Sequence, residues 1–271
     1  MVSKVIAAAP PTDDPRGRIC LMGIALDNLT LAEAVREIVQ AMEGDRARRV
    51  CFVNADCVNL AFRDADYREI LRTADLAFAD GIGMRLAGII LGRQVRDNVN
   101  GTDLFPRLCE ALDGRGKRIF LLGARPGTAE RLAAWMAGRY PGIVVAGCRD
   151  GYFPPADEAD VIQQVRRSRS DLLLVAFGAP RQDVWVARHL AELGVKVAVG
   201  VGGLFDFFSG RIPRAPLWLR RLGMEWCYRL YQEPRRLARR YLLGNPVFLA
   251  RVLRERIAGW NPGNDASAGG N

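Results

Sequence analysis

The stretch DLLLVAFGAPRQDVWVARHLAELGVKVAVGVG, residues 171–202, decides the fold class. It begins with a run of leucine, valine and alanine, continues into a segment with apolar residues at helical spacing, and ends in a second apolar run. Continuous apolar strands that alternate with helices are typical of a parallel sheet covered on both faces. The stretch therefore predicts a strand, a helix and a second strand parallel to the first.

The same alternation continues on both sides of this stretch. Further apolar runs lie at VCFVNA (50–55), DLAFAD (75–80), RIFLLGA (118–124) and GIVVAGC (142–148), and ICLMGIAL (19–26) opens the pattern. Thr30 and Glu33 have the spacing of a capping box before an apolar helix face. We predict an α/β fold with a Rossmann-like, mostly parallel sheet and helices on both faces over residues 18–210.

The positive charge of the chain is concentrated near its C-terminus. The formal net charge is +9, and the segment 211–256 alone contains twelve arginines, no lysine and three glutamates, so it carries the whole excess. Prolines divide this segment into short helices. We predict a basic helical C-terminal appendage over residues 211–258, and a basic segment of this kind attracts an anionic partner.

Aromatic residues lie among these arginines, and two functional interpretations stay open. Trp218, Leu222 and Trp226 have the spacing i, i+4, i+8, which predicts one helix face. Such a face either rests in a membrane interface or packs on the core. The alternative function is binding of single-stranded nucleic acid, which also uses arginine and aromatic side chains. A shared seam with leucine is less typical of that function than an open aromatic platform.

The remaining composition narrows the cellular context. The six cysteines form no CxxC pair, and His189 is the one histidine, so neither a zinc site nor a disulfide framework is indicated. The first 17 residues do not resemble a signal peptide, and no apolar run reaches the roughly 18 residues that a spanning helix needs. We expect a cytoplasmic protein with a flexible N-terminus (1–17) and a disordered tail (259–271).

Polar residues follow several of the predicted strands. In open α/β sheets, ligands bind beyond the carboxyl ends of the strands, where Asn54, Asp80 and Gln182 are expected. A polar residue at such a place is more often a helix cap or a turn residue. Asp80 stands out because Gly81 and Gly83 follow it and allow a ligand to approach the backbone closely.

Other motifs indicate local structure more than chemistry. FLLGARPGTAE (120–130) offers a helix N-terminus to a phosphate, but it lacks the spacing of a dinucleotide site and the lysine of a P-loop. The D-x-D at Asp64 and Asp66 lies in a charged run and is interpreted as a helix start. We interpret His189 as an ordinary helix residue and favour a turn role for Asp206.

The ordered set of motifs resembles the WecG/TagA/CpsF glycosyltransferases, also called glycosyltransferase family 26. The resemblance covers nearly the whole chain, from about Ile19 to Tyr241. It is carried by VNADCVNL (53–60), LAFADGIGM (76–84), NGTDLFPRLCE (100–110), FLLGARPGTAE (120–130), VAFGAPRQDVWV (175–186), GGLFDFFSG (202–210) and RAPLWLRRLGMEWCYRLYQEPRRLARRY (214–241).

This resemblance implies an activity and a site. Family members are inverting, metal-independent enzymes that move a sugar from a UDP-sugar to a polyprenyl-diphosphate-linked sugar in cell-surface polysaccharide synthesis, without a cofactor. The implied site consists of Asp80 as the catalytic base and, for substrate binding, Asn54, Gln182, Arg229, Arg236 and Arg239. The expected partners are donor, acceptor and the anionic inner face of the cytoplasmic membrane, with a second copy of the chain as an open alternative and no nucleic acid.

Two departures from the family pattern concern the donor. Phe52 stands where many members have threonine, and residues 97–101 lack the arginine that precedes the G-x-D-L segment. Arg96 lies two residues from that position and is a candidate replacement. The donor therefore stays open between a UDP-N-acetylmannosamine type and UDP-glucose.

Overall fold

The apolar runs and amphipathic segments form strands and helices in close agreement with the predicted alternation. The computed structural model describes residues 17–258. Its strands are β1 (Arg18–Leu21), β2 (Ile24–Asp27), β3 (Arg48–Val53), β4 (Leu76–Ala79), β5 (Arg118–Gly123), β6 (Val144–Arg149), β7 (Leu172–Ala176) and β8 (Val197–Gly200). The flexible N-terminus and disordered tail predicted from the sequence lie outside the described residues, apart from Gly17.

The helices follow the strands along the chain. They are α1 (Leu31–Glu43), α2 (Ala55–Ala61), α3 (Ala65–Arg72), α4 (Ile82–Ile90), α5 (Gly101–Leu112), α6 (Thr128–Arg139), α7 (Glu158–Arg167), α8 (Arg181–Leu193), α9 (Leu204–Phe208), α10 (Leu217–Arg221), α11 (Glu225–Gln232), α12 (Pro234–Ala238) and α13 (Gly244–Ala258). A short 3₁₀ turn at Pro155–Asp157 precedes α7, and a π-helical segment at Arg239–Leu243 joins α12 to α13.

Six of the strands form one sheet in which every pair is parallel, in the order β4-β3-β8-β7-β5-β6. Side chains alternate between its faces: Leu172 and Leu174 of β7 enter a core shared with α1, α5 and α6, whereas Leu173 and Val175 enter a core shared with α7 and α8. The predicted parallel sheet with helices on both faces is therefore confirmed. Its carboxyl edge is where the predicted site residues should meet.

The first predicted strand, ICLMGIAL, is instead a hairpin of β1 and β2 outside the six-stranded sheet. Met22 and Gly23 both adopt positive φ angles, which suits a tight two-residue turn. The Asp27 side chain accepts a hydrogen bond from the backbone N–H of Ala77 at 2.7 Å and so holds the hairpin beside β4.

Side-chain caps fix the helix starts near the carboxyl edge. The capping box predicted for α1 is confirmed, since Thr30 and Glu33 bond each other's backbone N–H groups at 3.3 and 2.7 Å. Asn54 caps α2, Asp64 caps α3 and Asn100 caps α5. Each cap satisfies N–H groups that the first turn of a helix leaves free.

The appendage is not one continuous helix, and the predicted shared face of Trp218, Leu222 and Trp226 is wrong. Gly223 has φ +72° and ends the turn between α10 and α11, because this backbone conformation cannot continue a right-handed helix. Trp218 and Leu222 are 62% and 66% exposed, whereas Trp226 packs edge-on against Tyr241 with ring centroids 5.8 Å apart.

The last helix packs differently from the rest of the predicted appendage. Phe248 and Val252 of α13 are fully buried in the cluster that contains β1, β2, α2 and α4. Asn59 of α2 donates a hydrogen bond to the carbonyl of Gly244 at 2.7 Å and accepts one from Arg251 at 2.6 Å. The chain therefore returns to the core after α12, and α10 to α12 lie between two anchored segments.

Candidate active site

Asp80 and Asn54 meet at the carboxyl edge of the sheet. They follow β4 and β3, which are neighbours, and the backbone N–H of Asp80 donates to the carbonyl of Val53 at 2.9 Å. The Asn54 side-chain oxygen caps α2, and its amide nitrogen donates to a carboxylate oxygen of Asp80 at 3.4 Å. Asn54 therefore has two roles, as a helix cap and as the neighbour of the candidate base.

The charge of Asp80 is balanced by groups from both the core and the appendage. Burial raises the pKa of the Asp80 carboxyl above its ordinary value. The hydrogen bond from Asn54 acts in the opposite direction, as do the positive charges of Arg240 and Arg229. The carboxylate of Glu225 adds to the increase. A carboxylate with a raised pKa is a stronger base than an ordinary exposed aspartate.

The turn after Asp80 is held by a residue that we did not single out from the sequence. Gly81 has φ +91°, a conformation that favours glycine, and its N–H donates to the side-chain oxygen of Asn98 at 2.6 Å. Asn98 is the residue at which the motif resemblance predicts an arginine. The candidate replacement, Arg96, forms an ion pair with Glu33 at 2.8 Å and donates to the carbonyl of Asn28.

Gln182 lies in the first turn of α8, at the ends of β7 and β8. Its side-chain oxygen accepts hydrogen bonds from the N–H groups of Gly178 at 3.1 Å and Gly202 at 2.9 Å, and its side chain is buried. A Cβ atom added at Gly200 would lie 2.7 Å from the Gln182 amide nitrogen, so glycine leaves room for it. The amide thus connects the two loops that follow β7 and β8.

A buried acidic residue, Asp183, lies next to Gln182. Asp183 accepts a hydrogen bond from the Tyr67 hydroxyl at 2.9 Å, and both side chains lie in the protein interior. Burial raises the pKa of Asp183 to about 6, although hydrogen bonds from Tyr67 and Gln182 favour the charged form. These two residues were not singled out from the sequence, because their partners are more than a hundred positions apart.

The predicted tail arginines divide into two groups. Arg229 lies over the Phe207 ring at 5.0 Å, and a Cβ atom at Gly203 would lie 2.9 Å from its guanidinium, so Arg229 covers the turn after β8. Arg236 pairs with Glu233 on the surface, and Arg239 is exposed. The structure therefore brings Arg229 close to Asp80 and turns the other two towards solvent.

Arg240 is the arginine that reaches the site from the π-helical segment between α12 and α13. Its guanidinium donates to the Asn54 side-chain oxygen at 3.3 Å and lies 3.2 Å from a carboxylate oxygen of Asp56. A second polar anchor holds the start of the appendage, where Arg214 pairs with Asp103 at 2.6 Å at the N-terminus of α5. Neither Arg240 nor Arg214 is among the predicted site residues.

The weaker sequence motifs have local roles. The Asp64 carboxylate accepts the N–H of Tyr67 at 2.9 Å, which agrees with a helix start. Asp206 lies in the first turn of α9, and not in a turn as predicted, and it pairs with Arg211 at 2.6 Å. His189 is buried against the Trp185 ring, with ring centroids 5.2 Å apart.

A comparison with protein families identifies the class of enzyme to which these features belong. The family described as "Glycosyl transferase WecG/TagA/CpsF family" matches residues 19–262, which is most of the chain. The chain belongs to the WecG/TagA/CpsF glycosyltransferase family. The resemblance inferred from the ordered motifs is therefore confirmed, and the protein is a glycosyltransferase.

Individual relatives of this WecG/TagA/CpsF protein have one activity in common. The chain is 34% identical over 203 residues to an N-acetylglucosaminyldiphosphoundecaprenol N-acetyl-beta-D-mannosaminyltransferase of Bacillus subtilis (strain 168), covering 75% of this chain and 78% of that protein. It is 33% identical over 202 residues to the enzyme of that name from Bacillus spizizenii, covering 74% and 77%. The Staphylococcus aureus (strain MRSA252) enzyme of that name is 28% identical over 241 residues, covering 88% and 93%.

The described part of this family member also bears on metal binding and on membrane insertion. Over residues 17–258 the protein has no group of three or more His, Cys, Asp or Glu side chains that could hold a metal ion. None of the helices in that range combines the length and apolar character needed to cross a bilayer. Metal independence stays a prediction, because it concerns the reaction.

Proposed function

We propose that this glycosyltransferase moves a sugar from a UDP-sugar to a sugar carried on a polyprenyl diphosphate, with Asp80 as the catalytic base. The observation that carries the proposal is the setting of Asp80 at the carboxyl edge of the sheet, hydrogen-bonded to Asn54 and near Arg229 and Arg240. The names of the relatives support the acceptor class, because they specify a sugar on diphosphoundecaprenol.

The proposed reaction is a single in-line displacement with inversion. The acceptor oxygen bonds to the anomeric carbon while the bond from that carbon to the UDP oxygen breaks, and UDP leaves with the electron pair. The proton of the acceptor hydroxyl passes to the carboxylate of Asp80. General-base catalysis of this kind contributes on the order of 10²–10⁴ in rate.

Negative charge on the departing diphosphate needs neutralisation, and Arg229 supports this step. Its guanidinium lies beside Gly203, where the glycine-containing turn after β8 leaves backbone accessible. Guanidinium groups suit phosphate because they donate two parallel hydrogen bonds. In this proposal Arg229 binds the diphosphate, while Arg236 and Arg239 on the exposed side contact the acceptor or its membrane.

Two observations concern the donor sugar, and they favour different candidates. The relatives transfer N-acetylmannosamine, which favours UDP-N-acetylmannosamine as the donor. Phe52 packs against Phe78 and Gly101, and Asn98 holds the Gly81 N–H, so an apolar ring and a neutral amide stand at the two departures from the family pattern. These changes favour UDP-glucose as a second candidate donor.

The appendage supports a peripheral position at the inner face of the cytoplasmic membrane. Leu217, Trp218 and Leu222 are exposed beside Arg220 and Arg221. Exposed apolar side chains flanked by basic ones are typical of segments that lie in a membrane interface. Each basic residue near an anionic surface contributes about 1 kcal/mol.

A core helix extends this apolar surface. Gly223 lies against the side chain of Ile82, so the turn between α10 and α11 contacts α4. Leu86 and Ile89 of α4 are exposed, and Ile89 is among the most exposed large apolar residues of the described chain. Because α4 begins two residues after Asp80, a membrane in contact with this surface would lie near the proposed base.

The test is a transfer assay with a donor panel. Purified protein is incubated with UDP-N-acetylmannosamine, UDP-glucose and other UDP-sugars, together with a short-chain polyprenyl-diphosphate-N-acetylglucosamine, and the lipid product is followed by mass. We expect one donor to extend the lipid, and Asp80→Asn to reduce its rate by about 10²–10⁴ while remaining folded. Asp64→Asn is the matched control, because asparagine also caps helices.

Two outcomes would contradict the proposal. Transfer by a folded Asp80→Asn variant at the normal rate would remove the assigned base. Absence of transfer with every donor, together with tight and salt-dependent binding of single-stranded RNA, would favour the nucleic-acid function instead.

A further inference from the structure

Arg240 lies among polar groups near Asp80, and the proposed reaction assigns it no role of its own. It lies in the π-helical segment after α12, and about 30% of its side chain is exposed. One nitrogen of its guanidinium donates to the Asn54 side-chain oxygen at 3.3 Å, and another lies 3.2 Å from Asp56. The contacts join the appendage to the loop that follows β3.

Arg240 differs from the neighbouring arginines in its burial. Arg236 and Arg239 are exposed, whereas Arg240, in the π-helical segment that follows α12, is partly buried. Leu237 is the one fully buried residue of α12. The segment is therefore buried at Leu237 and again, in part, at Arg240, whose guanidinium contacts Asn54 and Asp56.

Asn54 transmits this contact to Asp80. The Asn54 oxygen already accepts the N–H groups of Asp56 and Cys57, at 3.1 and 3.2 Å, and Arg240 is its third donor. An oxygen held by three donors fixes the orientation of the whole amide group, and the amide nitrogen then faces the carboxylate of Asp80.

We propose that Arg240 is a positioning residue for the catalytic base: seated between Asn54 and Asp56, it holds the Asn54 amide against Asp80 and places a positive charge beside it when the appendage is docked. The inference rests on the proposed role of Asp80. It makes the active site incomplete without the C-terminal segment.

The charges around both groups determine the expected pH dependence. The charged groups facing Asp80 are Arg240 and Arg229, which favour its carboxylate, and Glu225, which opposes it. Burial disfavours the charged form of Arg240, but nearby groups outweigh this effect and raise its pKa, namely Tyr241, Asp56, Cys57 and Asp80. Loss of the guanidinium therefore raises the pKa of Asp80 further, which moves the acidic limb of the pH–rate profile to higher pH.

The experiment compares three variants in the full-length protein. Arg240→Gln removes the charge, Arg240→Lys keeps it without the planar fork, and Arg235→Gln changes an exposed arginine of α12 as a matched control. Values of kcat and KM for donor and for a short-chain soluble acceptor are measured between pH 5 and pH 9, and folding is monitored by circular dichroism.

We expect Arg240→Gln to lower kcat by about tenfold to a hundredfold, as small misplacements of catalytic groups do, with an acidic limb displaced to higher pH and little change in either KM. Arg240→Lys should lower kcat while the limb stays near that of the unchanged protein. The profile of Arg235→Gln should match the unchanged protein throughout.

Several results would overturn the inference. One is that Arg240→Gln raises the acceptor KM and leaves the acidic limb of the pH–rate profile where it was, which would make Arg240 a substrate contact. Another is that Arg240→Gln and Arg235→Gln have the same kcat and the same pH–rate profile. If Arg240→Gln does not fold, Arg240→Lys and Asp56→Asn carry the test, and normal kcat in both would contradict it. An active Asp80→Asn variant would instead show that the proposed base is wrong.

Discussion

The parallel sheet and the segment α10 to α12 are stabilised in different ways. Every residue of β7 and β8 is buried, whereas α10 and α11 contain no fully buried residue. The sheet lies in the neutral part of the chain, and the excess positive charge lies wholly in the C-terminal segment. Hydrophobic burial therefore holds the core, and it contributes little to α10 and α11.

Polar contacts, more than burial, hold the segment from α10 to α12, in which Leu237 is the one fully buried residue. Arg214 binds Asp103 just before this segment, and Arg240 binds Asn54 and Asp56 just after it. Ion pairs that are partly exposed to water contribute little stability, typically about 0–1 kcal/mol. The difference teaches that this enzyme carries a rigid catalytic edge in its core and a weakly held segment whose apolar side chains are available to a lipid partner.

The largest expected effect tests where the core ends. Phe248→Ala removes a buried ring from α13, and we expect the free energy of unfolding to fall by about 3–5 kcal/mol. Ile257→Ala, on an exposed position of the same helix, should change it by about 0.5 kcal/mol or less. Chemical denaturation measures both. A loss below about 1 kcal/mol for Phe248→Ala would place α13 with the weakly held segment.

A smaller effect concerns the pH dependence of stability that we expect from Asp183, the buried acidic residue next to Gln182. Because the folded pKa of Asp183 is about 6 and the ordinary value is 3.8, the folded protein keeps a proton between these values that the unfolded chain has lost. The contribution of Asp183 to the free energy of unfolding is therefore greatest at low pH. It falls by on the order of 3 kcal/mol as the pH rises from about 4 to 6. Asp183→Asn should remove this loss.

The measurement for Asp183 is a series of denaturation curves for both proteins between pH 4 and pH 7. The difference between them isolates Asp183 from the other carboxyl groups of the chain. Equal pH dependence in the two proteins would show that folding does not raise the pKa of Asp183.

The next effect concerns the exposed face of the appendage. The pair of changes Trp218→Ser and Leu222→Ser should weaken binding to vesicles that contain anionic phospholipid by about tenfold or more, because two apolar side chains no longer enter the interface. Thermal stability should stay within about 0.5 kcal/mol, since both side chains are exposed. Val144→Ser on the edge strand β6 is the matched control. Unchanged vesicle binding would contradict a membrane role for this face.

The smallest expected effect tests whether the D-x-D that begins at Asp64 takes part in the reaction. Asp64→Ala removes the cap of α3, and we expect a loss of about 1 kcal/mol in stability with no change in transfer rate. Thermal unfolding and the transfer assay measure the two quantities. A folded but inactive variant would mean that the D-x-D at Asp64 takes part in the reaction.

Much of the fold was predictable because its signals are local. Continuous apolar runs and helical spacing identified the strands of the main sheet, and the Thr30 and Glu33 pair identified the start of α1. The hairpin and the break at Gly223 were missed, because only one or two turn residues decide each of them. One positive φ angle changes the course of a chain whose apolar pattern continues across it.

Part of the site was also predictable from the sequence. Residues after adjacent parallel strands must meet at one edge, so Asn54 and Asp80 could be named before their contact was known. The order of the strands is the only further information needed to predict that these two residues are neighbours.

The sequence by itself determined the fold class, the family and the candidate base, because these depend on periodicity and on short ordered motifs. Only the tertiary structure decided which arginine reaches Asn54, what Gln182 holds, and which aromatic residues remain exposed. Asn54 and Arg240 are 186 positions apart. Contacts of that separation form when the appendage docks on the folded core, and local pattern carries no information about where its side chains then lie.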